Sequence, residues 1–403
     1  MILARTAPGI FLVLLLGVGL GGTAISVRLA WADHLLARQT REGVQRSLAL
    51  APTNALAWER WARWEPEDAL SSLQHAVFLN PYLTNARLEL GLRAERAGSR
   101  REAAGLLLQS FQYDRMFVTR WTLANFYFRA GEEANFWRWA RAAAEYAPAS
   151  YFGLFELCHR WAGDPQVVLH RAIPPRAVIV SEYLKYLLSA GRLDEVSETF
   201  ARLLAFRRAA DLPILLAAVD GCLAAGQISR AVTFWNQLAA TGRIPYSLLD
   251  PVQGRSLTNG SFTRKPLAQG FDWHANWNPQ AFTLGNRIEF SGQQLDRTEL
   301  LWQPLPLAPH RSYQLRCRYR TANIAPNTGL RWHLLDPRTR QPLAVPSDSL
   351  SSAVETEQTW HFEVPESAVL GHLTLVYDRT PGTTRIRGLL ELVSVRLTLD
   401  PIP

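Results

Sequence analysis

The chain has 403 residues, 48% hydrophobic and 19% charged, and this balance excludes a disordered chain and a polytopic membrane protein. Its formal net charge is +8, but the arginines are scattered and no basic run stands out, so we predict no nucleic-acid partner. Three cysteines, Cys158, Cys222 and Cys317, lie far apart, which predicts buried thiols and excludes a disulfide framework or zinc ribbon.

The first predicted element is an apolar span over residues 9–27, after a short tail at 1–8. It carries no charge between Arg5 and Arg28, and its length matches the roughly 20 residues that a membrane-spanning helix needs. A cleaved signal peptide has a shorter apolar core of roughly 7–15 residues. The span therefore predicts an uncleaved signal-anchor, a transmembrane helix whose GxxxG spacing at Gly17 and Gly21 would permit a homodimer.

The orientation of this anchor is open between two interpretations. Four arginines follow the span within 19 residues and favour cytoplasmic domains under the positive-inside rule. Large domains, however, translocate largely regardless of charge, and the C-terminal domain described below resembles an extracytoplasmic type. We predict a single-pass protein of the inner membrane with periplasmic domains.

Helical repeats are predicted over residues 34–242. The dipeptide Ala-Gly recurs with glycines 28 to 35 residues apart, each between two amphipathic segments, at Gly98, Gly131, Gly163, Gly191 and Gly226. A helix–turn–helix unit of about 34 residues is the signature of an α-solenoid. Glycine suits the turn because it adopts positive φ at little cost.

The repeats resemble tetratricopeptide repeats. The unit that starts near Phe117 carries the residues of that motif, namely Leu123, Ala124, Tyr127, Gly131, Ala140, Ala143 and Pro148. The resemblance covers about half of the chain and implies that the array docks a protein partner. Polar residues of first helices are the predicted partner groove: Asn85, Arg87, Arg120, Asn125 and Arg129. The tryptophans of this region are predicted to lie in the core.

A β-sandwich is predicted over residues 257–399, after a linker at 243–256. From Ser312 to Thr321 apolar and polar residues alternate with a period of two, and four further segments show the same alternation. Short half-buried strands separated by proline- and glycine-containing turns indicate two antiparallel sheets. The predicted fold class is thus multi-domain α + β.

The sandwich resembles the jelly-roll carbohydrate-binding modules appended to polysaccharide-active enzymes. It begins Asn259-Gly260-Ser261-Phe262, reaches Trp273 soon after, and closes on a strand at 392–397. Thr263 stands where that family usually has an acidic residue, which puts calcium chemistry at that position in doubt. The resemblance implies glycan binding.

Two surfaces are candidates for the glycan. Trp273, Trp277 and Trp302 lie near loops or strand ends and are predicted to offer aromatic faces, whereas Trp332 and Trp360 are predicted in the core. If their strands are neighbours, one outward face forms a basic field suited to carboxylates, built from Arg316, Arg318, Arg320, Arg331, His333 and His361. The alternative is an ordinary solvated face.

The sequence contains no P-loop, GxSxG, HExxH or dinucleotide-binding motif, and we predict no enzyme activity, cofactor or metal. The leading hypothesis is a membrane-anchored scaffold whose repeats dock a protein while the sandwich holds a glycan, in assembly or export of a cell-surface polysaccharide. The alternatives are a protein–protein scaffold without glycan binding and a divergent polysaccharide-active enzyme.

Overall fold

The computed structural model describes residues 7–146, 151–275, 281–284 and 286–400. The chain forms two compact units, Met1–Pro174 and Pro175–Pro403. The sequence analysis put the boundary at 243–256 instead, where the composition changes. Residues 1–6 of the predicted tail lie outside the described residues.

The first unit is helical. Within each pair of consecutive helices from α1 to α8, the second packs back on the first, as the predicted helix–turn–helix units require. The helices are α1 (Ala7–Ala37), α2 (Arg41–Leu50), α3 (Ala55–Trp64), α4 (Ala69–Leu79), α5 (Thr84–Arg96), α6 (Arg100–Tyr113), α7 (Phe117–Ala130), α8 (Glu133–Ala144), α9 (Phe152–Ala162) and α10 (Pro165–Arg171). This helical part is tetratricopeptide-repeat-like.

The Ala-Gly turns have the predicted geometry. All five glycines adopt positive φ, between 66° at Gly163 and 86° at Gly98. At Gly131 the turn is closed by backbone hydrogen bonds from Gly131 N to Phe128 O (3.2 Å) and from Glu132 N to Tyr127 O (3.1 Å). These bonds satisfy carbonyls that the end of α7 would leave unpaired, so the glycine ends one helix and starts the return.

The first helix, α1, is 31 residues long and exposes apolar side chains such as Val18, Leu20 and Val27. Among the described residues, however, no helix combines the length and the apolar character that crossing a bilayer requires. The transmembrane anchor predicted over 9–27, and the homodimer predicted through it, are therefore not supported.

The second unit begins with four helices: α11 (Ala177–Ser189), α12 (Val196–Ala205), α13 (Leu212–Ala224) and α14 (Ile228–Ala240). The last two of these helices, α13 and α14, pack on the segments that lead into the sheets. The Trp235 indole of α14 stacks on Tyr246 with ring centroids 5.6 Å apart and meets the Phe271 ring edge-on at 5.8 Å. Asp220 of α13 accepts a hydrogen bond from Gly270 N at 2.6 Å. The residues predicted as a linker thus take part in tertiary packing.

Two antiparallel sheets complete the second unit. The strands are β1 (His274–Ala275), β2 (Ala281–Leu284), β3 (Arg287–Ser291), β4 (Arg297–Pro306), β5 (Ser312–Ala322), β6 (Leu330–Leu335), β7 (Thr356–Glu363), β8 (Leu370–Asp378) and β9 (Arg387–Leu399). One sheet has the order β1-β4-β8-β6 and the other β2-β3-β9-β5-β7. Both sheets contribute to one apolar core, which includes Trp332 and Trp360 as predicted.

Burial along β5 follows the predicted alternation. Tyr313, Leu315, Cys317 and Tyr319 are buried, and the residues between them face outward. All three cysteines are buried free thiols, as predicted. Because β5 pairs with β7 and β9, its outward residues share one face with residues of both neighbours.

Candidate functional site

Three of the five predicted groove residues are accessible. Asn85 and Arg129 are exposed and Asn125 is half-buried. Arg129 makes a two-pronged ion pair with Glu95, at 2.9 and 2.7 Å, and this interaction raises the pKa of Arg129. Asn125 donates a hydrogen bond to the carbonyl of Trp121, one turn earlier in α7. Asn85, without such a contact, is the least engaged of the three within the described residues.

The prediction that Arg87 and Arg120 line a groove is wrong, because both side chains are buried. The Arg87 guanidinium lies 5.0 Å from the centroid of the Tyr113 ring, and that of Arg120 lies 3.7 Å from Tyr146. Arg120 also donates a hydrogen bond to the Ala142 carbonyl at 3.0 Å. Each arginine lies in the first helix of a repeat and contacts a tyrosine 26 positions later, at or just after the end of the second helix. The two cation–π contacts therefore hold the helices of each repeat together.

A row of exposed apolar side chains occurs where one repeat leads into the next. We call it the loop ridge, and it consists of Phe78, Tyr82, Tyr113, Met116 and Tyr146, each close to half exposed or more. Tyr82 lies in the loop between α4 and α5 and Tyr113 is the last residue of α6, and their rings meet edge-on with centroids 5.2 Å apart. The sequence analysis did not single out these residues, although the spacing of 33 residues between Tyr113 and Tyr146 marks them as repeated positions.

Four residues of the predicted basic field share one outward face of the five-stranded sheet. Arg316, Arg318 and Arg320 alternate along β5, and His361 lies opposite Gln314 on β7. Two of the three arginines are neutralised within the protein, and the histidine contacts a carboxylate. Arg318 pairs with Glu355, Arg320 with Glu391 at 2.6 Å, and His361 with Asp400 at 3.0 Å.

Arg331 and His333 do not belong to that field, and this part of the prediction is wrong. They lie on β6, which pairs with β8 in the four-stranded sheet. His333 is buried, and neither ring nitrogen has a hydrogen-bond partner within the described residues. Burial, together with the nearby charges of Arg297 and Arg331, lowers the pKa of His333 to about 4. The chain changes sheet between β5 and β6, so residues whose alternation looks the same in the sequence lie on different sheets.

The predicted sugar-stacking tryptophans do not form an open aromatic platform. Trp273 is fully buried in the core of the sandwich, which contradicts the expected exposure. Trp277 lies outside the described residues. Trp302 is half-buried, and its ring stacks on His274 and His372, with centroids 4.0 and 4.4 Å away. Both imidazoles already occupy ring surface that a sugar would need.

One pair of arginines on the five-stranded sheet has no neutralising partner. Arg316 on β5 lies directly opposite Arg396 on β9. Within the described residues neither makes an ion pair, and Arg316 donates only to the side-chain carbonyl of Gln314, at 2.7 Å. Like charges directly opposite each other destabilise a sheet, so this pair is the feature of the face that packing does not explain.

The described residues contain no group of three or more histidine, cysteine, aspartate or glutamate side chains that could hold a metal ion. Among the carboxylates of the second unit, Asp272 is fully buried. It accepts hydrogen bonds from the Tyr246 hydroxyl (2.6 Å), from Leu267 N (2.7 Å) and from Trp273 N (2.8 Å). Its acceptor sites are thus used to hold the fold.

No family model matches the chain, and no curated protein is similar to it in sequence. Solved structures similar to it include PilW, a type IV pilus biogenesis factor, at 16% identity over 56% of this chain and 95% of that one (TM-score 0.27). Another is YrrB, a tetratricopeptide-repeat protein with a peptide-binding site, at 13% identity over 51% and 94% (TM-score 0.26). MamA is similar at 17% identity over 30% and 77% (TM-score 0.26). At these identities and scores the likeness carries no conclusion about binding.

Proposed function

We propose that this protein is a non-catalytic scaffold whose helical repeats bind a partner protein. The loop ridge is the observation that carries the proposal. Phe78 is 79% exposed and Tyr82 71% exposed. Burying a large apolar side chain stabilises a protein by about 25 cal/mol for each Å² removed from water, so this exposure is unfavourable in the isolated chain. Within the ridge the rings of Tyr82 and Tyr113 contact each other, and contiguous exposed apolar surface of this kind marks an interaction site.

The proposed occupant is an apolar segment of a partner protein. Tyrosine and methionine are enriched in protein–protein interfaces, and a tyrosine adds a hydroxyl that can bond to the partner's backbone. The buried Arg87 and Arg120 support this surface from below, because their guanidinium groups hold the rings of Tyr113 and Tyr146 in place. Rings that are already fixed lose little side-chain entropy on binding.

We also propose that the sandwich binds an acidic glycan. The unneutralised pair Arg316 and Arg396 supports this, because two adjacent guanidinium groups suit a carboxylate or sulfate. The location that we propose from the sequence is the inner membrane, with the helical repeats and the sandwich on the periplasmic side. A scaffold that holds a glycan there would serve assembly or export of a cell-surface polysaccharide.

Site-specific photo-crosslinking in the native cell tests the scaffold. A benzophenone amino acid replaces Tyr82 or Tyr113 in the loop ridge. As the control it replaces the exposed Arg101, in the first turn of α6, the second helix of a repeat. We expect one discrete protein adduct from both ridge positions and none from Arg101. The adduct should be lost when Phe78 is replaced by serine. Equal labelling at Arg101, or no adduct at either ridge position, would overturn the proposal.

A further inference from the structure

A cavity of about 570 Å³ lies in the second unit, between residues 245–264 and the end of β9. We call it the basic cleft. Its charged lining residues are Arg255, Arg264 and Arg396, and its described lining includes no aspartate or glutamate. The volume is in the range of ordinary small-molecule sites, about 300–1,000 Å³.

Two of these arginines are available to a ligand. Arg255 pairs with Asp250 at 2.9 Å, whereas Arg264 and Arg396 are exposed and make no ion pair within the described residues. Arg396 also faces Arg316 across the β5–β9 pair. An anion bound at Arg396 would also offset the repulsion between Arg396 and Arg316, which no carboxylate of the described residues neutralises.

The loop that carries Arg264 is held in a fixed conformation. Gly260 O accepts a hydrogen bond from Val395 N of β9 at 2.7 Å. A Cβ on Gly260 would lie 2.1 Å from the Val395 carbonyl oxygen, so only glycine permits this approach. Asn259 donates its side-chain N–H to the Arg264 carbonyl at 3.0 Å. The backbone that carries Arg264 is thus fixed before a ligand arrives, which lowers the entropic cost of ordering the loop on binding.

Hydroxyl groups supply most of the remaining accessible polar lining. They are both donors and acceptors and can therefore match the hydroxyls of a sugar in either direction. The accessible ones belong to Ser247, Ser261, Thr263, Ser394 and Thr398.

We propose that the basic cleft binds an acidic oligosaccharide. Arg264 and Arg396 hold its carboxylate or sulfate groups, and the serine and threonine hydroxyls bond to the sugar hydroxyls. The inference rests on the proposed glycan binding by the sandwich and places the site at the segment first interpreted as a linker and at the start of the sandwich.

Calorimetric titration of the full chain tests the site. The probes are an oligogalacturonate for carboxylate, a sulfated heparin oligosaccharide for sulfate, maltohexaose as the neutral sugar, and inorganic sulfate. We expect at least one of the two acidic oligosaccharides to bind, more weakly at high salt because the charges are screened. Maltohexaose should not bind, and inorganic sulfate should bind at least tenfold more weakly than the acidic oligosaccharide.

A matched pair of double variants locates the binding. Arg264→Gln with Arg396→Gln should weaken binding at least tenfold, whereas Arg318→Gln with Arg320→Gln should change it less than twofold. Both pairs remove the same charge, but Arg318 and Arg320 are neutralised by glutamates. Equal weakening by the two double variants would show that the net positive charge of the protein attracts the glycan without a defined site. That result would overturn the basic cleft as the site while leaving glycan binding intact. Equal binding of maltohexaose, or sulfate binding as tightly as the oligosaccharide, would overturn the ligand class. If no glycan binds to the folded protein, the proposed glycan binding fails as well.

Discussion

At the scale of single residues, the buried Asp272 organises the entry to the sandwich. Its carboxylate accepts from Tyr246 and Leu267, which lie on two different segments of the chain. Burial and the bond to Asp272 raise the pKa of Tyr246. The Tyr246 ring also stacks on Trp235, so one tyrosine connects α14 to the loop before β1.

Tyr246→Phe should therefore destabilise the second unit while leaving its packing unchanged. A hydrogen bond to a charged group contributes about 1.5–3 kcal/mol, and we expect urea unfolding to show a loss of about 2 kcal/mol. Tyr82→Phe is the control, because Tyr82 is exposed and its hydroxyl makes no hydrogen bond within the described residues. Equal stability of Tyr246→Phe and the parent protein would show that the Tyr246–Asp272 bond contributes nothing.

At the scale of elements, the turn between two helices of a repeat depends on its backbone conformation. Gly131 has φ of 73° and no atom within 4 Å of the position of a Cβ. Gly131→Ala should cost about 1 kcal/mol through backbone strain alone. Gly105→Ala should instead raise the stability. Gly105 lies inside α6, no atom lies within 4 Å of the position of its Cβ, and alanine favours a helix over glycine by about 1 kcal/mol. Thermal melts in which both variants shift in the same direction would contradict this account.

The helices and strands were largely predictable from the sequence, but which of them pair or pack together was not. Alternation from Tyr313 to Tyr319 and the Ala-Gly turns depend on neighbours in the chain, and the structure confirms both. Which sheet a strand joins depends on contacts between distant residues, so Arg331 and His333 were assigned to the wrong face. The exposure of Arg87 was mispredicted for a related reason, since a long arginine side chain can pack its guanidinium on a ring.

At the scale of the whole molecule, the two proposed binding surfaces lie in different compact units. The loop ridge is in the first and the basic cleft is in the second. The composition change near residue 243 suggested that the helices end there and that a separate sandwich follows. In the structure α11–α14 belong to the same unit as the sheets, because Asp220 and Trp235 contact the segments that lead into β1.

The stability of the second unit should fall as the pH is lowered, because His333 is buried and His372 is half-buried. Burial is the main cause that lowers the pKa of His333 and of His372 to about 4, whereas an unfolded histidine titrates near 6.5. The folded state thus requires neutral rings. Their contribution is fully present above pH 6.5 and is lost between pH 6.5 and 4, by about 1.4 kcal/mol per pH unit for each histidine.

Replacing His333 by leucine isolates this effect. Its ring has no hydrogen-bond partner within the described residues, so an apolar side chain of similar size should cost little at pH 7.5. At pH 5 the variant should unfold at a higher urea concentration than the parent protein, because it no longer takes up a proton on unfolding. His310→Gln, at an exposed position, should follow the parent at both pH values. If His333→Leu follows the parent as well, the His333 imidazole is charged or solvated in the folded protein, and its burial in β6 is not what limits stability in acid.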